Sequence, residues 1–133
     1  MILNQISVFL ENKTGRLSSF IRILADNAID LQALSIAESQ DYGILRIIVD
    51  RPEETAALLR ARDWPCSVTP VLAVNVPDEP GSLTRILAVL ADAGIDLAYS
   101  YAFLSRVSGQ ACVVLRVDDN AAAEKLLKDA GIL

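Results

Sequence analysis

Two short loops hold residues whose types and spacing could bind a small anionic group. Each loop carries a glycine just ahead of a predicted helix, Gly15 within residues 12–17 and Gly81 within residues 78–83. A helix start has unpaired backbone N–H groups and a partial positive charge, and both suit a carboxylate. Glycine has no Cβ and lets a ligand approach the backbone closely. The candidate binding residues in these loops are Asn12, Thr14, Gly15, Arg16, Leu17, Asp78, Pro80, Gly81, Ser82 and Leu83.

Two aspartates follow the predicted helices and could complete the chemistry of such a site. Asp30 and Asp96 each precede a leucine, Leu31 and Leu97, where a strand is predicted to begin. Their carboxylates could accept hydrogen bonds from an α-ammonium group. Structural interpretations stay open, because the glycines also satisfy turn geometry and the aspartates also form side-chain turns. The other polar loop residues are typical of helix caps or first helical turns: Asn12, Thr14 and Ser82.

The composition excludes several classes of function. The 133 residues include no histidine and two cysteines, Cys66 and Cys112, which lie far apart in the sequence. A Ser-His-Asp or Cys-His catalytic site is therefore impossible, and we expect no metal, no cofactor and no enzymatic activity. A net charge of −5 opposes nucleic-acid binding. Because the N-terminal residues alternate like a strand and no apolar run could span a bilayer, we expect a cytoplasmic protein without a membrane partner.

An internal repeat divides the chain. Residues 12–31 align without a gap with residues 78–97, and eight of these twenty positions are identical. The repeat predicts two units, residues 1–69 and residues 70–133, separated at Pro70. Units of this length are near the lower limit for independent folding, so a shared arrangement is favoured.

Each unit predicts the element order β-α-β-β-α-β, which is the order of ferredoxin-like folds. This order implies an α+β fold, with antiparallel sheets and the helices on one face, and we expect the units to pair through their strands. Only residues 131–133 remain for the last strand, which should be very short or missing and should leave an edge that invites a second chain. Helices are predicted for residues 16–27, 52–62, 81–93 and 120–129, and strands for residues 1–10, 30–40, 44–49, 66–69, 71–76, 96–106 and 110–117.

The strand at residues 96–106 carries large side chains at alternate positions, whereas its counterpart in the first unit carries mostly small ones. Large residues opposite small ones would interdigitate if the strands pair, and we favour this packing over an aromatic ligand pocket. Either interpretation makes the two units inequivalent. The positions compared are Leu97, Tyr99, Tyr101 and Phe103 with Leu31, Ala33, Ser35 and Ala37.

Several short motifs resemble those of the ACT domain, a small-molecule-binding regulatory module found in enzymes of amino-acid metabolism. The family pattern is D-x-P-G-x-L at the start of a helix, followed by a G-I-N-I-like turn. Residues 78–83 (D-E-P-G-S-L) and 94–97 (G-I-D-L) are similar to this pattern, and residues 12–17 (N-K-T-G-R-L) with 28–31 (A-I-D-L) form a degenerate copy. Residues 42–46 also resemble the family's entry to its third strand. The resemblance covers nearly the whole chain, twice.

The resemblance implies a freestanding tandem ACT protein that binds an amino acid and regulates without catalysing a reaction. Such modules bind ligands where two units meet, which implies one pocket from the first loop with Asp96 and another from the second loop with Asp30. The family frequently has asparagine at these two positions. A homodimer and a partner enzyme of amino-acid metabolism are also implied. The alternative is a regulatory subunit that docks on a separate enzyme and binds no ligand itself.

Overall fold

The structure is a computed structural model that describes residues 1–38 and 41–133. Residues 39 and 40, the end of the predicted second strand, lie outside this description. The remaining strands and helices alternate as the repeat predicts, which confirms two ferredoxin-like units in an α+β fold. In chain order they are β1 (Ile2–Glu11), α1 (Arg16–Asp26), β2 (Leu31–Glu38), β3 (Tyr42–Val49), α2 (Pro52–Ala61), β4 (Cys66–Pro77), α3 (Ser82–Asp92), β5 (Leu97–Leu104), β6 (Gln110–Val117) and α4 (Asn120–Asp129).

The described chain forms two compact units, Asn4–Thr69 and Met1–Leu3 with Pro70–Leu133. The division into residues 1–69 and 70–133 stays a prediction. The prediction of separate strands over residues 66–69 and 71–76 is wrong, because β4 runs through Pro70 without interruption. Proline lacks only its own N–H and fits an extended strand where no donor is needed. Its carbonyl accepts a hydrogen bond of 3.1 Å from the Asn120 side chain.

The first unit packs both of its helices on one face of its sheet. Within this unit β3 lies between β2 and β1, and all three are antiparallel to their neighbours. Phe20 and Leu24 of α1, spaced four residues apart, enter the same apolar cluster as Leu59 of α2. Strands β1 and β3 contribute alternate residues to this cluster: Ile6, Val8, Leu10, Leu45, Ile47 and Val49.

The second unit repeats this core around Ile86 and Leu90 of α3 and Leu127 of α4. No strand follows α4 among its described residues, as predicted. The start of β1 lies beside β4 instead: the Ala73 amide donates to the Met1 carbonyl at 2.8 Å, and the Met1 amine donates to the Ala73 carbonyl at 3.1 Å. The Met1–Leu3 segment therefore belongs structurally to this unit.

A shift in strand register corrects one sequence prediction. Leu97 pairs with Val117, whereas Tyr99 pairs with Arg116, so the register slips by one residue between Leu97 and Tyr99. Leu97 consequently packs against the helix-facing core of the second unit. The prediction that Leu97 shares a face with the three aromatic residues of β5 is wrong, because a bulge inverts the alternation of side chains.

Helices α2 and α4 begin as their sequences predict. Pro52 opens α2, and Glu53 and Glu54 occupy its first turn, where the helix dipole favours acidic groups. Asp119 caps α4 by accepting a hydrogen bond of 3.0 Å from the Ala122 amide. Among the described helices, none is long and apolar enough to cross a membrane.

Candidate functional site

The two predicted loops lead into helices whose N-cap residues share one unusual backbone conformation. Gly15 is the N-cap of α1 with φ of 85°, and Gly81 is the N-cap of α3 with φ of 93°. Only glycine adopts this left-handed region without strain. A Cβ added to either glycine would meet nothing within 4 Å, so the backbone is open on the side where a side chain would stand.

No side chain caps either helix, so the predicted capping roles of Asn12 and Thr14 are wrong. Pro80 lies before the N-cap and not inside the first helical turn, because α3 begins at Ser82. The first intrahelical bonds run from Ser19 N to the Gly15 carbonyl at 3.0 Å in α1 and from Arg85 N to the Gly81 carbonyl at 3.2 Å in α3. Of the first-turn amides before these donors, those of Arg16 and Ser82 donate to the Lys13 and Glu79 carbonyls at 3.2 and 3.4 Å. The next two amides of each helix have no intrahelical acceptor.

A pocket of about 150 Å³ lies at the start of α1 and is formed entirely within the first unit. Strand β1, the loop after it, helix α1 and the β2–β3 pair all contribute to its wall. Two predicted site residues, Asn12 and Leu17, line it. The complete lining is Leu10, Glu11, Asn12, Lys13, Leu17, Ile36, Glu38 and Gly43.

An ion pair at the rim of this pocket sets the charge of Glu11. The Lys13 Nζ lies 3.1 Å from Glu11 Oε2. The hydrogen bond from Lys13, followed by the positive charge of Lys13, holds the pKa of the Glu11 carboxyl below its ordinary value. Because both side chains are well exposed, the pair contributes little to stability. This contribution is present above the unfolded-state pKa and is lost as the pH falls through the lowered folded-state pKa.

Replacing Lys13 with alanine should raise the pKa of the Glu11 carboxyl towards its ordinary value. An NMR titration of the Glu11 carboxyl carbon measures this directly. The control is Lys125→Ala, which removes a lysine that pairs with Asp129 in the second unit at 2.8 Å. An unchanged Glu11 titration midpoint in Lys13→Ala would contradict the assigned cause.

Arg16, also a predicted site residue, lies against an aromatic side chain. Its guanidinium carbon is 4.3 Å from the centre of the Trp64 ring. Trp64 is 8% exposed and meets Phe20 edge-on, with ring centres 5.3 Å apart. The Arg16 Nε is buried and has no hydrogen-bond partner. The Arg16 side chain therefore packs the start of α1 against Trp64, which lies in the loop after α2.

The corresponding place in the second unit is open. Ile132 is the counterpart of Trp64. Each follows a residue with a positive φ, Asp63 before Trp64 and Gly131 before Ile132. The amide of each also donates a hydrogen bond of 2.9 Å to a carbonyl near the end of the preceding helix. The counterpart of Arg16 is Ser82, the first residue of α3. A pocket of about 170 Å³ lies here, lined by Val76, Pro77, Ser82, Arg85, Gly131 and Ile132.

Ser82 has a structural role in the second loop. It is 8% exposed, and its hydroxyl donates a hydrogen bond of 2.7 Å to the Pro77 carbonyl. The Asp78 amide donates to the Gly109 carbonyl at 2.8 Å, which ties the loop to the turn before β6. Leu83 is 46% exposed. Of the predicted residues in this loop, Ser82 is the one that lines the second pocket.

The predicted aspartates lie at the other end of the unit's first helix. Asp30 follows α1, whose 11 residues make a helix of about 16 Å, at about 1.5 Å per residue, between Gly15 and the turn that contains Asp30. The Asp30 amide donates a hydrogen bond of 3.0 Å to Asp50 Oδ1, so a carboxylate from the end of β3 fixes the turn into β2. Asp96 is exposed in the corresponding place after α3. Neither aspartate serves the helix start of its own unit, and the predicted pairing of each with the other unit's loop stays a prediction.

Sequence reasoning missed six of the eight residues that line the first pocket: Leu10, Glu11, Lys13, Ile36, Glu38 and Gly43. Gly43 is buried in β3 without a positive φ, and a Cβ there would lie 3.3 Å from Ile36 Cγ2. A glycine inside a strand often marks a place where a ligand or another backbone approaches closely, and Gly43 was therefore the signal in the sequence that could have pointed to this pocket. Strand register brings the set together, because both Leu10 and Glu38 lie directly opposite Gly43.

Neither pocket contains the ligands of a metal site. Within residues 1–38 and 41–133, no three Cys, Asp or Glu side chains converge on a point that could hold an ion. Burial raises the pKa of the Cys66 and Cys112 thiols, which disfavours the reactive thiolate form. The arrangement at the helix starts is suited to binding and orienting a small polar molecule.

Comparisons with known proteins agree with this fold. Residues 1–132 match the family model described as ACT domain pair. Protein BT0572 from Bacteroides thetaiotaomicron has a crystal structure with 36% identity and a TM-score of 0.92, covering 99% of this chain and 90% of that chain. No curated protein matches the sequence.

Two further crystal structures share the fold at lower identity. The ligand-free regulatory subunit of aspartate kinase from Thermus thermophilus is 15% identical, with a TM-score of 0.70 and coverage of 96% of this chain and 91% of that chain. A structure of aspartokinase alpha and beta subunits is 19% identical, with a TM-score of 0.65 and coverage of 98% and 93%. At these identities the likeness concerns the fold alone.

Proposed function

The chain belongs to the ACT domain pair family, and on that premise we propose that it is a regulatory protein that binds an amino acid. The family assigns it to regulatory modules and not to catalytic domains. The ligand class, the use of the helix starts as the site, and assembly as the means of regulation are the proposal. We also propose that the protein acts as a homodimer.

One observation carries the proposal. Both units present a helix start whose N-cap is a left-handed glycine, and no atom lies within 4 Å of the place where a Cβ would stand. The first-turn amides and the positive end of the helix dipole suit an α-carboxylate. Neighbouring side chains supply apolar and charged groups for the remainder of an amino acid, and the pocket at α1 contains both kinds.

Regulation follows from the thermodynamics of binding. A ligand shifts an equilibrium between two arrangements by the difference between its affinities for them. A metabolite that binds one arrangement of the units, or one oligomeric state, more tightly would therefore report its own concentration through assembly. No reaction of the ligand is needed for this role.

Titration with a panel of amino acids tests the function. We expect isothermal titration calorimetry with the twenty amino acids and their 2-oxo acids to give heat for one ligand or a small related group. At a ligand concentration 100 times the Kd, the same ligand should stabilise the protein by about 2.7 kcal/mol, which thermal unfolding would show. Absence of both heat and thermal shift across the whole panel would contradict the proposal.

A second candidate is a regulatory subunit for a separate enzyme. It is favoured by the likeness to the Thermus thermophilus regulatory subunit, of which this chain covers 91%. Purification from native cells followed by native mass spectrometry distinguishes the two. A stoichiometric enzyme partner together with no response to any amino acid would favour the docking subunit, whereas a dimer that retains a small metabolite would favour the sensor.

A further inference from the structure

The pocket at the start of α1 has an apolar floor. Leu10 is 6% exposed, Leu17 is partly buried against the core, and Ile36 remains 44% exposed. Gly43 completes the floor, where an added Cβ would crowd Ile36 at 3.3 Å. The volume of about 150 Å³ is well below the roughly 300–1,000 Å³ of pockets for drug-sized ligands. The floor therefore suits an aliphatic group of a few carbon atoms.

The rim of the same pocket carries separated polar groups of both signs. Asn12 and Lys13 lie on the loop that leads into α1, beside the first-turn amides. Glu38 lies on β2 and carries an exposed carboxylate, for which the described part of the chain provides no hydrogen-bond donor and no cation. A zwitterion needs an acceptor for its ammonium group and donors for its carboxylate, and these groups supply both.

The second unit lacks this combination at the matching positions. In the first unit, Leu10 and Glu38 both lie directly opposite Gly43. In the second unit, Val76 and Leu104 both lie directly opposite Ala111 and are therefore the counterparts of Leu10 and Glu38. The repeat places Glu79 where the first unit has Lys13, and Asp78 where it has Asn12. A carboxylate at the position of Glu38 is thus absent, and the acids of the loop would repel the carboxylate of a ligand.

We infer that the first unit alone holds a complete site for a small aliphatic α-amino acid, an inference that rests on the proposed function. The carboxylate lies toward Asn12, Lys13 and the start of α1. The ammonium group donates to Glu38. The side chain occupies the floor formed by Leu10, Leu17, Ile36 and Gly43. The chain accordingly binds one such ligand, and the second unit does not bind it at the equivalent place.

Calorimetry on the full chain with L-valine and L-leucine tests this inference. We expect a stoichiometry of one ligand per chain, with weaker binding of L-phenylalanine and no binding of isovalerate or isobutylamine. Glu38→Gln should weaken L-valine binding at least tenfold because it removes the charge that accepts the ammonium group. Gly43→Ala should weaken L-leucine more than L-alanine, since the added methyl group fills part of the floor.

A matched control removes a carboxylate of the same unit at the other end of α1. Asp26 is exposed at that end, and Asp26→Asn should bind L-valine as the wild type does. Circular dichroism of each variant shows that the fold is retained, and the exposed position of Glu38 keeps that variant testable even if Gly43→Ala unfolds. The results of these binding experiments can contradict this inference while leaving the proposed function intact.

Amino-acid binding that survives Glu38→Gln and Gly43→Ala but is lost in Arg85→Ala would overturn the inference, because the site would then be the second pocket, while the proposed function would stand. A stoichiometry of two aliphatic amino acids per chain would overturn it as well. Failure of every amino acid to bind the wild-type protein would overturn the proposed function and the inference together.

Discussion

Replacing Trp64 with alanine should lower the free energy of unfolding by about 3–5 kcal/mol, the usual cost of removing a large buried aromatic side chain. Trp64 is 8% exposed within the core cluster of the first unit. The substitution would also remove the edge-on contact with Phe20 and the surface on which the Arg16 guanidinium lies. Arg16 would be left with a buried Nε that has neither a hydrogen-bond partner nor an aromatic neighbour.

Denaturant unfolding followed by far-UV circular dichroism measures this loss, because Trp64 is the chain's one tryptophan and its fluorescence disappears with it. The control is Ile132→Ala, at the matching place in the second unit, where the side chain is partly buried and a smaller loss is expected. Trp64→Phe keeps most of the volume and serves if the alanine variant does not fold. A loss below about 1 kcal/mol in Trp64→Ala would show that the site collapses around the missing ring.

A double-mutant cycle isolates the contact between Arg16 and Trp64. Arg16→Met keeps the aliphatic stem and removes the charge, and Trp64→Phe changes the ring beneath it. We expect a coupling free energy of about 0.5–2 kcal/mol, the range for exposed to desolvated cation–π pairs. Coupling near zero would mean that the guanidinium contributes packing area alone.

The features of this structure that depend on residues close together in the chain could be predicted from the sequence. Apolar residues at helical spacing, such as Phe20 with Leu24 and Ile86 with Leu90, placed the helices because periodicity is written directly in the chain. The two glycines before α1 and α3 were singled out because glycine lacks a Cβ and suits a turn, and the structure gives both a positive φ. The internal repeat then extended each local pattern to the whole element order.

The candidate site depends on relations that are not local. Glu38 and Gly43 face Leu10 only through the register of three strands, and one residue of slippage would place them elsewhere. The bulge before Tyr99 illustrates this sensitivity, since it sends Leu97 to the opposite face of the sheet from the one that simple alternation predicts. The contact of Arg16 with Trp64 joins the first residue of α1 to the loop after α2, and no spacing rule connects them.

Replacing both helix-start glycines with alanine should lower the free energy of unfolding by about 2–4 kcal/mol, at about 1–2 kcal/mol for each left-handed residue. Gly15 and Gly81 have φ of 85° and 93°, and neither position has an atom within 4 Å of an added Cβ. The cost would therefore arise from backbone strain and not from a steric clash. The two losses should add, since the residues lie in different compact units.

Asparagine separates backbone strain from a steric clash, because it adopts the left-handed region more readily than alanine and also carries a Cβ. Gly15→Asn and Gly81→Asn should retain most of the stability that the alanine variants lose, as measured by denaturant unfolding. If asparagine were as costly as alanine, backbone conformation would not be the reason for glycine. A stable Gly15→Asn protein also tests whether the ligand needs the absence of a Cβ at this position. Loss of amino-acid binding without loss of stability would mean that the ligand approaches the backbone where the Cβ now stands.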